Sequence, residues 1–180
     1  MKNVLILFSL FFCSLSLSAQ TTAGTFLVHA NASSLQFSSL SADADGYGEN
    51  ESKEFEMDFA LGYFFIDNLF AGVYTYVSTE EINDSEFNQV AIGPMARYYF
   101  LPGNLKPFGE IAILFGNTEV NNFDNSLFLT RINAGAEFFI TKGFAAGAKL
   151  GIGFGNSESE GNIDSSLFEF NFGLGFSILF

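Results

Sequence analysis

Several residue types are scarce in this sequence, and each shortage excludes a class of protein. The chain has no Trp, three Pro and one Cys in 180 residues. Because that Cys is Cys13, the chain beyond it can have no disulfide, no thiol chemistry and no Cys-ligated metal. Cations are also few: seven Lys and Arg stand against 20 Asp and Glu, giving a net charge of -13. A charge this negative argues against nucleic acid as a partner.

Long apolar runs are absent as well. Hydrophobic residues make up 48% of the chain and charged residues only 15%, against about a quarter in an ordinary soluble domain. Such a chain buries much of its surface in something other than water, yet no run reaches the roughly 20 apolar residues of a membrane-spanning helix. Phe (25) and Gly (18) are abundant instead. Phe favours strands and Gly favours turns and close strand contacts, which together indicate a lipid-facing β protein.

The N-terminus has the pattern of an export signal. Lys2 supplies the positive charge, residues 4–17 supply the hydrophobic stretch, and Ala19 is the small residue expected before a cleavage site. We therefore predict a signal peptide over residues 1–19 and one domain over residues 20–180. Removal of the signal would leave six cations and 20 acids, a charge of 6 minus 20, or -14.

The predicted domain alternates between strand-like segments and polar connections. Eight strands are predicted, at about 24–36, 53–66, 69–79, 87–101, 107–118, 127–141, 143–155 and 167–180. The connections at 67–68, 102–106 and 141–143 are short. Those at 37–52, 80–86, 119–126 and 156–166 are longer, polar and acidic. Short and long connections alternate strictly, as they do in outer-membrane barrels with tight periplasmic turns and longer external loops.

Side chains within these segments alternate with period two. In the last segment one face carries Phe168, Phe170, Phe172, Leu174, Phe176, Ile178 and Phe180. A soluble sandwich or lipocalin-like barrel would alternate too, but with its apolar face inside. Side-chain volume distinguishes the two, since the interior of an eight-stranded barrel only just holds side chains, and here the polar faces are rich in Gly and Ala. We therefore predict an all-β fold, an eight-stranded antiparallel up-and-down transmembrane β-barrel with its Phe-rich face in lipid.

This assignment places nine charged side chains inside the barrel. They are Glu54, Glu56, Asp58, Arg97, Glu110, Arg131, Glu137, Lys149 and Glu169. None of the assigned lipid-facing positions is charged, as expected when Arg or Lys at mid-bilayer costs about 2–4 kcal/mol. Six acids against three bases leave an imbalance that protonation, water or a bound cation must absorb. Salt bridges that fill the lumen are favoured over a conduction path, and a cation-selective leak along acidic walls is the alternative.

Aromatic residues collect at two levels, which predicts a girdle at each membrane interface. Near the short turns they are Phe64, Phe65, Phe70, Tyr98, Tyr99, Phe100, Phe108, Phe138, Phe139 and Phe144. Near the long connections they are Phe55, Phe87, Phe115, Phe128, Phe154 and Phe168. In the first segment the apolar phase shifts after Ser33 and Ser34, which indicates a β-bulge.

With these features the chain resembles the small OmpA/OmpX-type outer-membrane barrels, particularly those common in Bacteroidetes. The resemblance covers nearly all of residues 20–180. Its most specific element is the C-terminal strand, in which Phe172, Leu174, Phe176, Ile178 and Phe180 look like the signal read by the outer-membrane assembly machinery. The resemblance implies a location in the Gram-negative outer membrane, contact with its lipid and lipopolysaccharide, and insertion by that machinery. It implies no single activity, because members range from structural and adhesive proteins to narrow channels.

Candidate chemistry is sparse. His29 is the only histidine, and Ser33 four residues on forms no recognisable partner motif with it, so we interpret His29 as a lumen-facing polar residue. The acidic segment 43–51 is not an EF-hand loop, because Gly46 and Tyr47 stand in the wrong positions for the ligands of such a loop. Solvated acidic loops are expected there, although their carboxylates could hold divalent cations against lipopolysaccharide phosphates.

The sequence therefore predicts a non-enzymatic monomer with no catalytic residue, no cofactor and no resident metal. Its expected role is envelope integrity or surface interaction, with a polar packed lumen and acidic surface loops. A narrow channel for small solutes or hydrophobic molecules is the second hypothesis, and an enzyme is the third.

Overall fold

The chain forms a closed barrel of eight antiparallel strands, as the alternation predicted. The computed structural model describes residues 21–41, 53–82, 85–120, 123–158 and 164–180, with side chains except at 33–54, 80–87, 120–124 and 158–165. The strands are β1 Phe26–Ser41, β2 Lys53–Ile66, β3 Leu69–Ile82, β4 Ser85–Tyr99, β5 Leu105–Val120, β6 Phe123–Thr141, β7 Phe144–Glu158 and β8 Asp164–Leu179. Each strand pairs with the next along the chain, and β1 pairs with β8. No helix of the described residues is long and apolar enough to span a membrane.

The two ends of the barrel differ in their connections. Residues 67–68, 100–104 and 142–143 connect strands at one end, where β1 also begins and β8 ends; we call it the turn end, and the opposite end the loop end. Asn68 and Gly103 have positive φ angles of 66° and 105°, a region that Asn tolerates and Gly adopts freely. The predicted signal peptide, residues 1–19, lies outside the described residues and stays a prediction.

The predicted contrast between short and long connections is wrong at two loop-end positions. β3 continues to Ile82 before β4 begins at Ser85, and β5 continues to Val120 before β6 begins at Phe123. Two residues therefore lie between the strands where connections over 80–86 and 119–126 were predicted. The ladder continues through polar residues because backbone pairing needs no apolar side chain. The change from apolar to polar marks the edge of the lipid-facing band and not the end of the strand.

The outward faces of the strands are apolar. Among the residues whose side chains are described, thirty large hydrophobic ones are exposed, including Leu174 at 60% and Phe65 at 63%. Among the outward-facing strand residues whose side chains are described, the only charged one is Glu119, which lies beyond Phe115 toward the loop end. A soluble monomer rarely exposes a contiguous apolar patch of more than a few hundred Å². The surface is therefore one that lipid covers.

The predicted bulge in β1 is confirmed. Ala32 pairs with Leu174, whereas Leu35 pairs with Phe172, so β1 advances three residues while β8 advances two. The extra residue restores the apolar phase of β1 relative to β8. This explains why the alternation breaks at Ser33 and Ser34 although the strand does not.

The predicted turn-end girdle is wrong for half of its members. Phe65, Tyr98, Phe100 and Phe138 point outward. Five others are buried inside the barrel, namely Phe64, Phe70, Tyr99, Phe108 and Phe139. The reason is the pleat itself, because neighbours along a strand point to opposite faces. A pair such as Phe64–Phe65 can therefore contribute only one ring to lipid.

Candidate functional site

The lumen is filled in three layers. The layer nearest the turn end consists of the five inward aromatic residues, which we call the aromatic layer. The middle layer holds charged and polar side chains. Toward the loop end the buried side chains are mixed: Leu114, Leu127 and Leu129 are apolar, whereas Ser78, Thr118 and Asn171 are polar. The aromatic layer thus separates the charged residues from the turn-end mouth of the barrel.

Arg97 is the centre of the larger charged cluster. Its Nε and Nη2 atoms donate to Oε2 of Glu110 at 2.7 and 2.5 Å, and its Nη1 donates to Oε1 of Glu137 at 2.7 Å. The Tyr99 hydroxyl donates to Oε2 of Glu137 at 2.8 Å. The guanidinium carbon lies 4.3 Å from the ring centre of Phe108, within cation–π range. Arg97 and Glu110 are direct partners in the β4–β5 register, so the sheet itself brings them together.

Lys149 extends this cluster across the lumen. Its Nζ lies 2.9 Å from Oδ2 of Asp58 and 3.6 Å from Oε1 of Glu110, and it donates to the Tyr74 hydroxyl at 3.1 Å. Asn31 donates to the same Asp58 oxygen at 2.9 Å. Residues from β2, β3 and β5 therefore meet at the ammonium group of Lys149 on β7, and Asn31 on β1 binds one of them.

Arg131 organises a second cluster nearer the loop end. Its Nε donates to Oε1 of Glu169 at 2.5 Å and its Nη1 to Oε1 of Glu56 at 2.8 Å, while its guanidinium carbon lies 3.8 Å from the ring centre of Tyr76. In the register Arg131 pairs with Gly153, which pairs with Glu169. A side chain at Gly153 would overlap the Glu169 carboxylate. Glycine on β7 is what lets an arginine on β6 reach a glutamate on β8.

His29 is buried in the lumen, as predicted, and it has partners that the sequence did not reveal. Its Nδ1 lies 2.8 Å from Oγ of Ser177 and 3.5 Å from Oε1 of Glu137, and the Ser177 hydroxyl donates to that oxygen at 2.8 Å. The Ser177 hydroxyl donates its hydrogen bond to Glu137, whereas a serine activated by histidine would donate to the imidazole. All three residues are buried. The arrangement orders polar groups inside the lumen.

The turn end of the lumen is closed by rings and by the chain before β1. Within the aromatic layer the Tyr99 ring lies 6.0 Å from Phe64 and 5.7 Å from Phe108, centre to centre. Thr21 is buried over this end, where its Oγ1 accepts a hydrogen bond from Nζ of Lys106 at 2.6 Å. The same hydroxyl donates to Oδ1 of Asn68 at 2.6 Å.

The structure brings together eight of the nine charged residues that the sequence placed in the lumen. Each is at most 4% exposed. The side chain of Glu54 lies outside the described residues. Without it, five acids (Glu56, Asp58, Glu110, Glu137 and Glu169) face three bases (Arg97, Arg131 and Lys149).

Sequence reasoning missed the tyrosines that separate and solvate these charges. Tyr74 and Tyr76 are fully buried, and their ring centres lie 5.0 Å from Nζ of Lys149 and 3.8 Å from the guanidinium carbon of Arg131. Period two in β3 would have found them, since Tyr74, Tyr76 and Ser78 alternate with Val73 and Val77. The assumption that bulky residues belong outside concealed that signal.

No cluster of three or more His, Cys, Asp or Glu residues in the described part of the chain is arranged to hold a metal ion. The acidic segment 43–51 and the side chains of Glu158 and Glu160 lie outside that part. A divalent cation at these carboxylates therefore stays a prediction.

Comparison with known proteins identifies the family. The sequence matches the outer membrane protein beta-barrel domain over residues 5–176. The chain belongs to this family. It is accordingly an outer-membrane protein of Gram-negative bacteria, and lipid and lipopolysaccharide form its surroundings.

Solved structures support the fold of this outer-membrane barrel. Neisserial surface protein A is similar with a TM-score of 0.66 and 17% identity, over 86% of this chain and 98% of that one. The outer membrane protein OprG from Pseudomonas aeruginosa is similar with a TM-score of 0.52 and 12% identity, over 88% and 97%. No curated protein is similar enough in sequence to count as a relative. At such identities the likeness extends to architecture and not to activity.

Proposed function

We propose that this outer-membrane barrel is a non-conducting, non-enzymatic protein that holds its loop-end segments at the cell surface, for envelope integrity or surface interaction. The occupied lumen carries the proposal. Arg97, Arg131 and Lys149 are buried among carboxylates and tyrosines, and the aromatic layer covers them on the turn-end side. A hydrated ion needs a continuous polar path, which the aromatic layer interrupts.

The space left beside the charged cluster is small. The cavity next to His29 and Lys149 has a volume of about 10 Å³, which is about what a single water molecule requires. Moving a guanidinium or ammonium group away from its carboxylates to open a path is also costly, because it would leave a buried charge unpaired. The lumen therefore supports a structural role more than transport.

The orientation of the barrel supports a surface role. Outer-membrane barrels place their short turns in the periplasm and longer connections outside. The two longer connections, residues 42–52 and 159–163, are both at the loop end. Asp43, Asp45, Glu49, Glu51 and Glu160 lie within them, so the surface presented outward is acidic.

Single-channel recording in planar bilayers tests this function. The full chain, inserted in KCl solution, is expected to show no steady conductance step, and a wide porin inserted in the same membrane shows that the assay detects one. Reproducible steps from the unaltered protein would refute the filled lumen.

A narrow cation channel is the second candidate, and the excess of two carboxylates over cations in the two lumenal clusters, among the described side chains, favours it. A KCl gradient across the bilayer separates it from the first. A channel lined by this excess would have a reversal potential displaced toward the potassium equilibrium potential, whereas a filled barrel would have no current to reverse.

A further inference from the structure

The cations of this chain are distributed unevenly. Six Lys and Arg follow residue 19. Arg97, Arg131 and Lys149 are engaged in the lumenal ion pairs. Two of the remaining three, Lys106 and Lys142, line a single open cleft at the turn end.

This turn-end cleft lies between the connection 100–104 and the end of β6, and has a volume of about 380 Å³. Small-molecule sites in proteins commonly occupy about 300–1,000 Å³. Its polar wall includes Asn104 and Thr141 beside the two lysines, and none of its lining residues is acidic. In a chain with 20 acids and seven bases, such a wall is a local concentration of positive charge.

The two ammonium groups retain donors for a ligand. Lys106 is nearly buried and gives one hydrogen bond, to Oγ1 of Thr21, at 2.6 Å. An ammonium group has three donors, so two remain. Lys142 is exposed. Among the residues whose side chains are described, neither lysine forms an ion pair, whereas Arg97, Arg131 and Lys149 each do.

The cleft also borders lipid. Ile140 forms part of its wall and is 58% exposed on the outward face of β6. Leu105 and Phe138 are paired neighbours on the same outward surface, and both are exposed. A ligand whose phosphate binds the two lysines could therefore pack its hydrocarbon chains against Ile140 and Leu105. Phosphate bound by lysine forms charge-assisted hydrogen bonds, which are stronger than neutral ones.

We propose that the turn-end cleft binds the phosphate of a glycerophospholipid headgroup, with Lys106 and Lys142 as its ligands. The site fixes the barrel to the leaflet that faces the turn end. It depends on the barrel being embedded in the membrane and is independent of whether the lumen conducts.

Native mass spectrometry of the full chain in detergent, titrated with phosphatidylglycerol, measures this binding. Loss of one charge-assisted contact weakens binding by about tenfold or more, so Lys142→Gln is expected to raise the Kd for the first lipid by that factor. Lys142→Arg should restore it. Lys53→Gln is the matched control, because it removes the same charge at the opposite end of the barrel, where β2 begins. Lys106→Gln should weaken binding too, but it also removes the contact to Thr21.

Competition by inorganic phosphate identifies the source of the ligand. If millimolar phosphate fails to displace the lipid, the headgroup and its chains are recognised together, as proposed. Displacement by phosphate would instead assign the cleft to a soluble phosphate compound and overturn the lipid assignment. Equal losses in Lys142→Gln and Lys53→Gln would mean non-specific attraction, and no loss in Lys142→Gln would mean no site; either result overturns the proposal. Heat-modifiable migration on gels verifies that each variant is folded.

Discussion

Individual glycines decide which charges can meet in this lumen. Arg131 and Glu169 are on β6 and β8, with β7 between them, and their 2.5 Å contact passes over Gly153. An alanine there would place its Cβ on the Glu169 carboxylate. Glycine is thus needed at position 153 because side chains from the neighbouring strands occupy the space of a Cβ. Its backbone conformation would allow any residue.

Gly153→Ala is expected to destabilise the barrel by several kcal/mol. The added methyl group must displace Glu169 from Arg131, and disrupting a buried ion pair costs about 3–5 kcal/mol. Urea titration of the refolded protein in micelles measures the free energy of unfolding. Gly109→Ala is the control, because its Cβ would meet only the end of the Phe100 ring at 3.2 Å and glycine replacement at a compatible site stabilises by about 0.4–1 kcal/mol. Equal losses of unfolding free energy in the two variants would show that the Arg131–Glu169 ion pair does not need the space left by Gly153.

The larger cluster behaves as a unit, which predicts non-additive losses. Arg97→Gln leaves Glu110 and Glu137 buried without their guanidinium partner and is expected to cost about 3–5 kcal/mol. Adding Glu137→Gln removes one orphaned charge, so the double variant should be more stable than the sum of the single losses allows. Lys142→Gln, outside the ion pairs, should change unfolding little. Strict additivity in this double-mutant cycle would mean that the 2.7 Å contact between Arg97 and Glu137 contributes nothing of its own.

At the scale of the strand, period two is most informative where one face is uniform. β8 is such a case, with an apolar residue at every second position from Phe168 to Phe180. β3 is not, because Tyr74 and Tyr76 are as bulky as the residues on its outward face. The difference in side-chain volume between the two faces of each strand therefore predicted the fold and the charged lumen, but it did not predict the aromatic residues inside the lumen. The pairing of His29 with Ser177 could not be predicted either, since it depends on barrel closure between β1 and β8.

The loop-end boundaries of the strands could not be predicted from the sequence either, for a physical reason. Glu119 pairs with both Asn88 and Asp124 in a continuing ladder. Polarity at such positions reports where lipid ends, and hydrogen bonding between backbones continues into water. The pattern of apolar and polar residues reports contact with lipid or water, so it cannot locate the end of a strand, which depends on backbone hydrogen bonding.

The bulge in β1 makes one element sensitive to the loss of a single residue. Deletion of Ser34 would remove the extra residue between Ala32 and Leu35. Every residue from 35 to 41 would then exchange faces, because a shift of one residue inverts a strand. We expect the variant to lose heat-modifiable migration, which reports barrel formation. Deletion of Gly46, in the connection 42–52, is the control and should fold; normal migration of the Ser34 deletion would mean that the register can adjust.

At the scale of the whole molecule, lipid on the outside and ion pairs on the inside follow from one constraint. A narrow barrel has room for few side chains, and a charge facing lipid is costly. The described chain satisfies both by keeping Arg97, Arg131 and Lys149 inside and by leaving its outward strand positions uncharged except at Glu119. A barrel with an apolar outer surface and a charged lumen needs an apolar environment, a membrane or a detergent micelle, around it.

Arginine placed on the outward face of β6 should therefore report depth in the bilayer. Ala134 is exposed midway between Phe128 and Ile140, and Ser126 is exposed beyond Phe128 toward the loop end. Ala134→Arg is expected to cost about 2–4 kcal/mol and Ser126→Arg about 0–1 kcal/mol, because the penalty for a charge falls from the midplane to the interface. Folding into lipid vesicles in urea measures both, with Ala134→Leu as the size control. If water covered this surface, Ala134→Arg would be tolerated as well as Ser126→Arg, and the assignment of the outward face to lipid would fail.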